Sequence, residues 1–539
     1  MCFRKLEDSM SEDQEKQAHA SPPKATSTMA PTMPDGALPP KPMPPAPQVP
    51  VLMRPRVPPK SAIVPLPASV LPAAVAAGLV AAFVMPDDPG AGWFVAGLAF
   101  AVAVYFADKR ARGDAEPHFR LVNALWAAAA LGLLAVGMFR ASVWLNVLCV
   151  LAAFVAGSLA VVGKRTVNTI VYDVFAVPIE ALLSIPWAGR GLRKLGTKQE
   201  GRTRPRFLVP VLASALLLLV FVPLLRGADA AFASVVDAVI PELNPGTFVR
   251  WGFLFVVAAF AVTGACYLLA APPLPADDDA PRKRLAHRLE WTLPLGVLVL
   301  LFTSFVVVRL VVLFGGTEYL LATSGLTAAE YARSGFWQLS AITVLTLLLV
   351  AAALRWAPKT SVADRAWQRG LLGALSVLSL VLVASALSRM WTYQQAYGFT
   401  VLRLLVEVCE LWIGLIFLLV LASLIPLRSA WLPRAAIGAA VAALLGLAVL
   451  DPERFIADRN IDRLAHGKTL DTTYLSRFSA DVVPSADRLP EPLRSCVLGP
   501  VVRGIPKDDW REWNLSRSLA RQTPVTAKDG IGCRYLPRP

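Results

Sequence analysis

Arg403, Glu407 and Glu410 interrupt a long apolar run at i, i+4 and i+7, a spacing that sets all three on one helical face. Ionisable groups at membrane depth are costly in hydrocarbon, so they mark ion paths, substrate sites or internal ion pairs. Counted inward from an outer end near Val401 at 1.5 Å per residue, Glu407 lies roughly 9 Å and Glu410 roughly 13 Å deep. Arg309 stands near the outer end of a second apolar run and Arg389 near that of a third, so both signs share one level. A loop with Glu318, Tyr319, Glu330, Tyr331 and Arg333 hangs above that level, which makes an outward-facing polar pocket feasible. The plainer reading is preferred: Arg309 and Arg389 snorkel to headgroups, and Arg403 with Glu407 is a packing ion pair.

Other chemistry has little footing. The chain has no HExxH, GxSxG, CxxC or GxxxxGK[ST] pattern, and the GKT at 467–469 lacks the upstream glycine of a phosphate loop. His19, His118, His287 and His466 are scattered over tails and loops, so no metal and no cofactor is expected, and no catalytic residue is assigned.

The elements that must carry these residues follow from composition. Of 539 residues 55% are hydrophobic and only 17% charged, with mean hydropathy +0.54. Unalternated apolar runs of about 16 to 24 residues match the length a helix needs to cross a bilayer, where every backbone polar group must be satisfied internally. The expected fold is all-α: a polytopic transmembrane bundle of about eleven spans. They lie near 67–85, 92–107, 119–138, 143–163, 207–225, 248–271, 291–314, 337–356, 370–392, 401–426 and 435–450. The last is the weak point, since sixteen residues barely cross the core.

The net charge of +15 is a topology signal and not a sign of nucleic acid. Alternate loops hold 21 Lys and Arg on one side and three, Arg140, Arg226 and Arg333, on the other. That asymmetry predicts a multi-pass protein of the bacterial cytoplasmic membrane, N-terminus inside and C-terminus outside. Sixteen prolines fall from Pro22 to Pro67, and residues 1–66 read as a disordered cytoplasmic tail. The bundle, 67–450, includes 164–206, where Ile170, Val174, Ile179, Leu182 and Leu183 between Lys164, Arg165, Arg193 and Lys194 suggest an interfacial helix pair broken at Pro178 and Pro186. Residues 451–539 hold 15 basic and 12 acidic residues and form a small helical domain outside. Its helix starts are read at Asp451–Pro452 and at Asp508 or Asp509, with a stop at Gly467. Cys496 and Cys533 both fall in this domain, on the oxidising side, and are expected to pair.

Four stretches resemble a family of uncharacterised bacterial multi-pass membrane proteins known only as a domain of unknown function. They are ADAAFASVVDAVIPEL at 228–243; LFGG at 313–316 with GLTAAEYARSGFWQL at 325–339; YGFTVLRLL at 397–405; and DPERFIADRNIDRL, LDTTYLSRFSADVVP and DWREWNLSRSLAR between 451 and 521. The resemblance runs from about residue 200 to the end. It implies a membrane setting and no activity, and carboxylates like Glu407 and Glu410 are not part of the family pattern. The expected function is a non-enzymatic envelope scaffold or sensor that meets the lipid bilayer through its spans and envelope proteins through 451–539. The alternatives are a transporter or channel using the outward pocket, and an enzyme on lipid-linked substrates.

Overall fold

The computed structural model describes residues 65–525, except 113–120, 163–169, most of 198–244, 271–287, 315–335, Thr360 and Arg428. The expected N-terminal tail, 1–66, lies almost wholly outside the described residues. Among the described residues every regular element is a helix.

The apolar runs form α1 (Val70–Val84), α2 (Ala91–Arg112), α3 (Leu121–Phe139), α4 (Val143–Val162), α5 (Ile170–Leu183), α6 (Ile185–Thr197), α7 (Pro245–Ala270), α8 (Arg288–Phe314), α9 (Phe336–Trp356), α10 (Val362–Tyr397), α11 (Val401–Leu424) and α12 (Leu432–Leu450). Nine of these are long and apolar enough to cross a membrane, and α1 is a shorter apolar helix of 15 residues. The expected span 207–225 falls mostly outside the described residues. The chain is thus an all-α polytopic bundle.

Two groups of spans are packed side by side. One comprises α1 to α5 with α7, the other α8 to α11, and α12 fits between them, touching α3 and α4 on one flank and α11 on the other. Polar bonds fix α12 at both flanks: Trp412 Nε1 of α11 donates to Ala436 O at 3.0 Å, and Arg434 reaches the fully buried Asp173 of α5 at 3.4 Å. Where helices cross tightly the sequence supplies glycine. A Cβ at Gly264 of α7 would stand 2.6 Å from the backbone of Ala181 in α5.

The 164–206 segment forms two helices as expected, but the break falls at Ser184. Pro178 sits inside α5, while Pro186 opens α6, where its missing N–H removes no helical bond. α5 packs against α4 and α7.

After α12 the chain passes through one residue, Asp451, into α13 (Pro452–Ala465), then α14 (Thr472–Leu475), a 3₁₀ turn (Ala480–Val482), α15 (Val483–Ala486), α16 (Leu493–Arg503) and α17 (Leu515–Ala520). Among the described residues, 451–525 share their core with the spans. Ile456, Leu475, Val482, Val497 and Leu498 are buried in one cluster with Leu133, Leu145, Phe399, Leu404 and Leu447 of the spans. The expected start at Asp508 or Asp509 is displaced to Asn514, whose Oδ1 caps α17 by accepting from Arg517 N at 2.9 Å. Gly467 has the expected left-handed conformation, φ +75°.

Candidate functional site

The polar belt expected within the spans assembles differently from its sequence reading. Arg403 does not pair with Glu407: its guanidinium turns back to the Gly398 carbonyl and stacks 4.4 Å from the Tyr393 ring. Glu407 instead accepts from Gln394 Nε2 of α10 at 3.2 Å. Glu410 is 2% exposed and lies beside Ser340 of α9, and its Oε2 has no hydrogen-bond partner among the described residues. The expected packing pair of Arg403 with Glu407 is thus replaced by two separate bonds, one from Arg403 to Gly398 O and one from Gln394 to Glu407. Glu330, Tyr331 and Arg333, with the side chain of Arg309, lie outside the described residues.

The densest polar geometry lies instead where the C-terminal domain meets the span ends. Side chains of the domain hydrogen-bond backbone groups left unsatisfied at helix termini. Asn460 accepts from Phe399 N and donates to Phe399 O, both at 2.9 Å, gripping the α10–α11 corner. Glycine is required at that corner: Gly398 has φ +86°, and a Cβ there would stand 2.7 Å from Arg463. Tyr474 Oη accepts from Val401 N at 2.9 Å. Asn514 donates to Gly137 O at 2.8 Å and Ser516 to Phe139 O at 3.0 Å, closing the end of α3. Gly92 N donates to Arg511 O at 2.7 Å, and Arg517, ion-paired with buried Asp508, donates to Pro89 O at 3.1 Å.

A cluster of buried charge sits at the centre of this junction. Asp481, 1% exposed, accepts from Ala141 N and Ser142 N at 3.0 and 3.1 Å and so caps α4 from another element. Arg140 spreads its fork over the last carbonyls of α12, donating to Ala448 O at 2.6 Å and Val449 O at 3.3 Å, and reaches Asp451 Oδ2 at 2.6 Å. A cation on the C-terminal carbonyls of a helix complements its dipole. Asp451 has φ +58°, a left-handed conformation that aspartate tolerates better than most residues. Its Oδ1 is buried without a hydrogen-bond partner among the described residues. Glu453 accepts from Trp144 Nε1 at 3.1 Å and from Ser479 N and Oγ at 2.7 and 2.6 Å.

Burial pushes the Asp451 carboxyl up to about 6; the neighbouring Asp481 charge adds to this and Arg140 opposes it. Burial likewise raises Glu453 to about 7, against the lowering effect of the Ser479 hydrogen bonds.

Beside Asp451 opens a cleft of about 640 Å³. Its walls are Val136 and Phe139 of α3 and Ala448 and Val449 of α12, its roof is Leu515 and Leu519 of α17, and Arg140, Asp451, Arg454, Asp481 and Asp487 supply its charge. Sequence reading missed this site. Arg140 stood out only as one of three cations in the basic-poor loops, and Asp451 only as a helix start.

A family model described as Domain of unknown function (DUF4153) matches residues 127–489. The chain belongs to that family. The DUF4153 region starts inside α3, further toward the N-terminus than the expected start near residue 200, and takes in α4. It includes Arg140, Asp451, Glu453 and Asp481, and it stops before α16 and α17, so the DWREWNLSRSLAR stretch lies beyond it. The charged floor of the cleft is therefore within the family's shared region, and its α17 roof is outside. No curated protein and no solved structure matches the chain.

Proposed function

We propose that this DUF4153 protein is a non-enzymatic scaffold or sensor of the bacterial cell envelope, held in the cytoplasmic membrane with residues 1–66 inside and 451–539 outside. The observation that carries this reading is the interlock between the C-terminal domain and the span ends. Side chains of α13 and α17 and their flanks bind the backbone of the α1–α2, α3–α4 and α10–α11 corners. Such a junction makes the bundle a rigid mount for the domain and couples any shift of the spans to the surface the domain offers to partners. The corners it grips share one side, and that side has few basic residues in its loops, which supports the extracytoplasmic placement.

Cysteine-accessibility labelling tests the placement: position 2 should react only from the cytoplasm, and a cysteine at exposed Lys468 only from outside. Labelling of both from one side would refute it. Photo-crosslinkers at Lys468 and Arg488 in the full chain should trap discrete envelope proteins; a single self-linked or lipid-linked product would remove the scaffold reading.

A second reading rests on Glu410. A carboxylate buried in the spans, whose Oε2 has no hydrogen-bond partner among the described residues, is the kind of group that carries protons or cations through a bundle. Proton- or substrate-dependent uptake into vesicles containing the wild-type protein, lost in Glu410→Gln, would favour transport.

A further inference from the structure

The C-terminal domain leaves few large apolar side chains in the open, and those few are neighbours. Among the described residues after Asp451 they are Trp510, Trp513, Leu515 and Leu519, of which Trp510 is 63% and Leu519 54% exposed. Leu515 and Leu519 are four apart on α17 and so share one face of it. Exposed apolar groups clustered in this way mark a contact surface.

Hydrogen bonds to the span ends fix the height of this cluster. Trp513 O accepts from Ala91 N, the first residue of α2, at 3.2 Å, and Arg511 Nη1 donates to Phe83 O in the last turn of α1 at 3.0 Å. Ser516 Oγ donates to Phe139 O, the last carbonyl of α3, at 3.0 Å. The segment therefore lies where α2 and α3 leave the hydrocarbon core, both being apolar helices long enough to cross it. Its leucines continue an apolar strip on the spans themselves. Phe139 and Val449, at the ends of α3 and α12, are exposed and line one cleft with Leu515 and Leu519. The charges of the segment are largely paired with one another: Asp508 with Arg517 and Arg521 at 3.0 and 2.9 Å, and Asp509 with Arg511 at 2.6 Å.

We propose that residues 510–519 form a membrane-lying strap, with Trp510, Trp513, Leu515 and Leu519 seated between the headgroups and acyl chains of the leaflet on the domain's side. Tryptophan suits that depth, because its ring is apolar and its indole N–H can meet a headgroup oxygen. With the arginines paired to carboxylates, apolar burial supplies the attraction and no anionic lipid is required. A lipid surface fits better than a protein because the strip continues the exposed ends of the spans, so a protein partner would have to straddle the headgroup layer. The proposal rests on the spans crossing the membrane and not on the scaffold reading.

The test uses the full chain in nanodiscs of zwitterionic phosphatidylcholine. Nitroxides are attached singly through Trp513→Cys and Leu519→Cys, with Lys468→Cys as the solvent-exposed control and Cys2, Cys149, Cys266 and Cys409 replaced by alanine. Molecular oxygen concentrates in lipid, whereas a water-soluble nickel chelate is excluded from it. At 513 and 519 relaxation by oxygen should exceed that by nickel severalfold, and at 468 the order should reverse. Nickel exceeding oxygen at both 513 and 519 would overturn the proposal by placing the surface in water. Protection from both reagents would overturn it in favour of cover by a protein partner or a second copy. Neither result touches the scaffold reading, which stands on crosslinks at Lys468 and Arg488. If the labelled variants do not fold, the wild-type chain decides: a phosphatidylcholine with a photoreactive group at the top of its acyl chain should label residues 510–519, and labelling confined to the spans would sink the proposal.

Discussion

Glu453 makes the junction sensitive to pH in a direction that can be worked out. Its carboxyl titrates at an ordinary 4.5 in the unfolded chain and at about 7 when folded, because burial outweighs the donors from Ser479 and Trp144. Between those values the folded chain binds the extra proton, so this group favours the fold fully below pH 4.5, and that contribution is lost as pH rises to about 7. The span of the shift corresponds to at most roughly 3 kcal/mol. Asp451 acts with the same sign over a lower window, up to about pH 6. Thermal scans of detergent-solubilised protein at fixed rate should therefore show the midpoint falling from pH 5 to pH 8. In Glu453→Gln the fall between pH 6 and 8 should vanish, while the part below pH 6, due to Asp451, persists. Trp144, whose indole N–H donates to Glu453, supplies a local readout: its indole ¹⁵N resonance, assigned by loss in Trp144→Phe, should titrate near 7. A midpoint that rises with pH over this range, or an identical slope in Glu453→Gln, would refute the reasoning.

Asp481→Ala strips the acceptor from Ala141 N and Ser142 N and should destabilise the protein by about 2–4 kcal/mol; a loss below 0.5 kcal/mol, read as an unchanged thermal midpoint, would show that water replaces the carboxylate. Gly264→Val drives a side chain into the Ala181 backbone and should separate α5 from α7, seen as faster proteolysis between residues 163 and 200; unchanged cleavage would argue against the close crossing. Cys496 is buried and disulfide-bonded, while Cys533 lies outside the described residues. Non-reducing peptide mapping should link the two, and reduction should lower stability by about 3–4 kcal/mol on the chain-entropy model; a free thiol at Cys533 would rule out the pair.

The fold was legible because lipid imposes one solution on an apolar run, and the span positions follow hydropathy closely. Edges were legible only where hydropathy and helix end together. α10 runs from Val362 to Tyr397 and not 370–392, because Ser361 and Asp364 form a capping box and Arg369 donates to Leu424 O and Ile425 O, so its polar first turns stay helical. α12 begins at Leu432 because Pro433 fits the opening turn, which lengthens the doubtful span to 19 residues. Pairing was the part that could not be read. Helical spacing puts Arg403 beside Glu407, but the nearby Gly398 carbonyl and Tyr393 ring compete for the guanidinium, and a glutamine on another helix takes the carboxylate. The cleft was hidden for the same reason: Arg140 and Asp451 are 311 residues apart, and nothing local announces their contact.

That separation governs how the molecule is made. Arg511 and Arg517 bond to carbonyls 428 residues earlier in the chain, and Asn514 to one 377 residues earlier. During synthesis the corners at 83–92 and 137–142 emerge and insert long before their partners exist, and their carbonyls face water until the last segment arrives. The C-terminal domain, in turn, has half of its core in spans already inserted. It closes only over a correctly ordered bundle, so a chain with one span misinserted would present the wrong corner and leave its last segment unpacked.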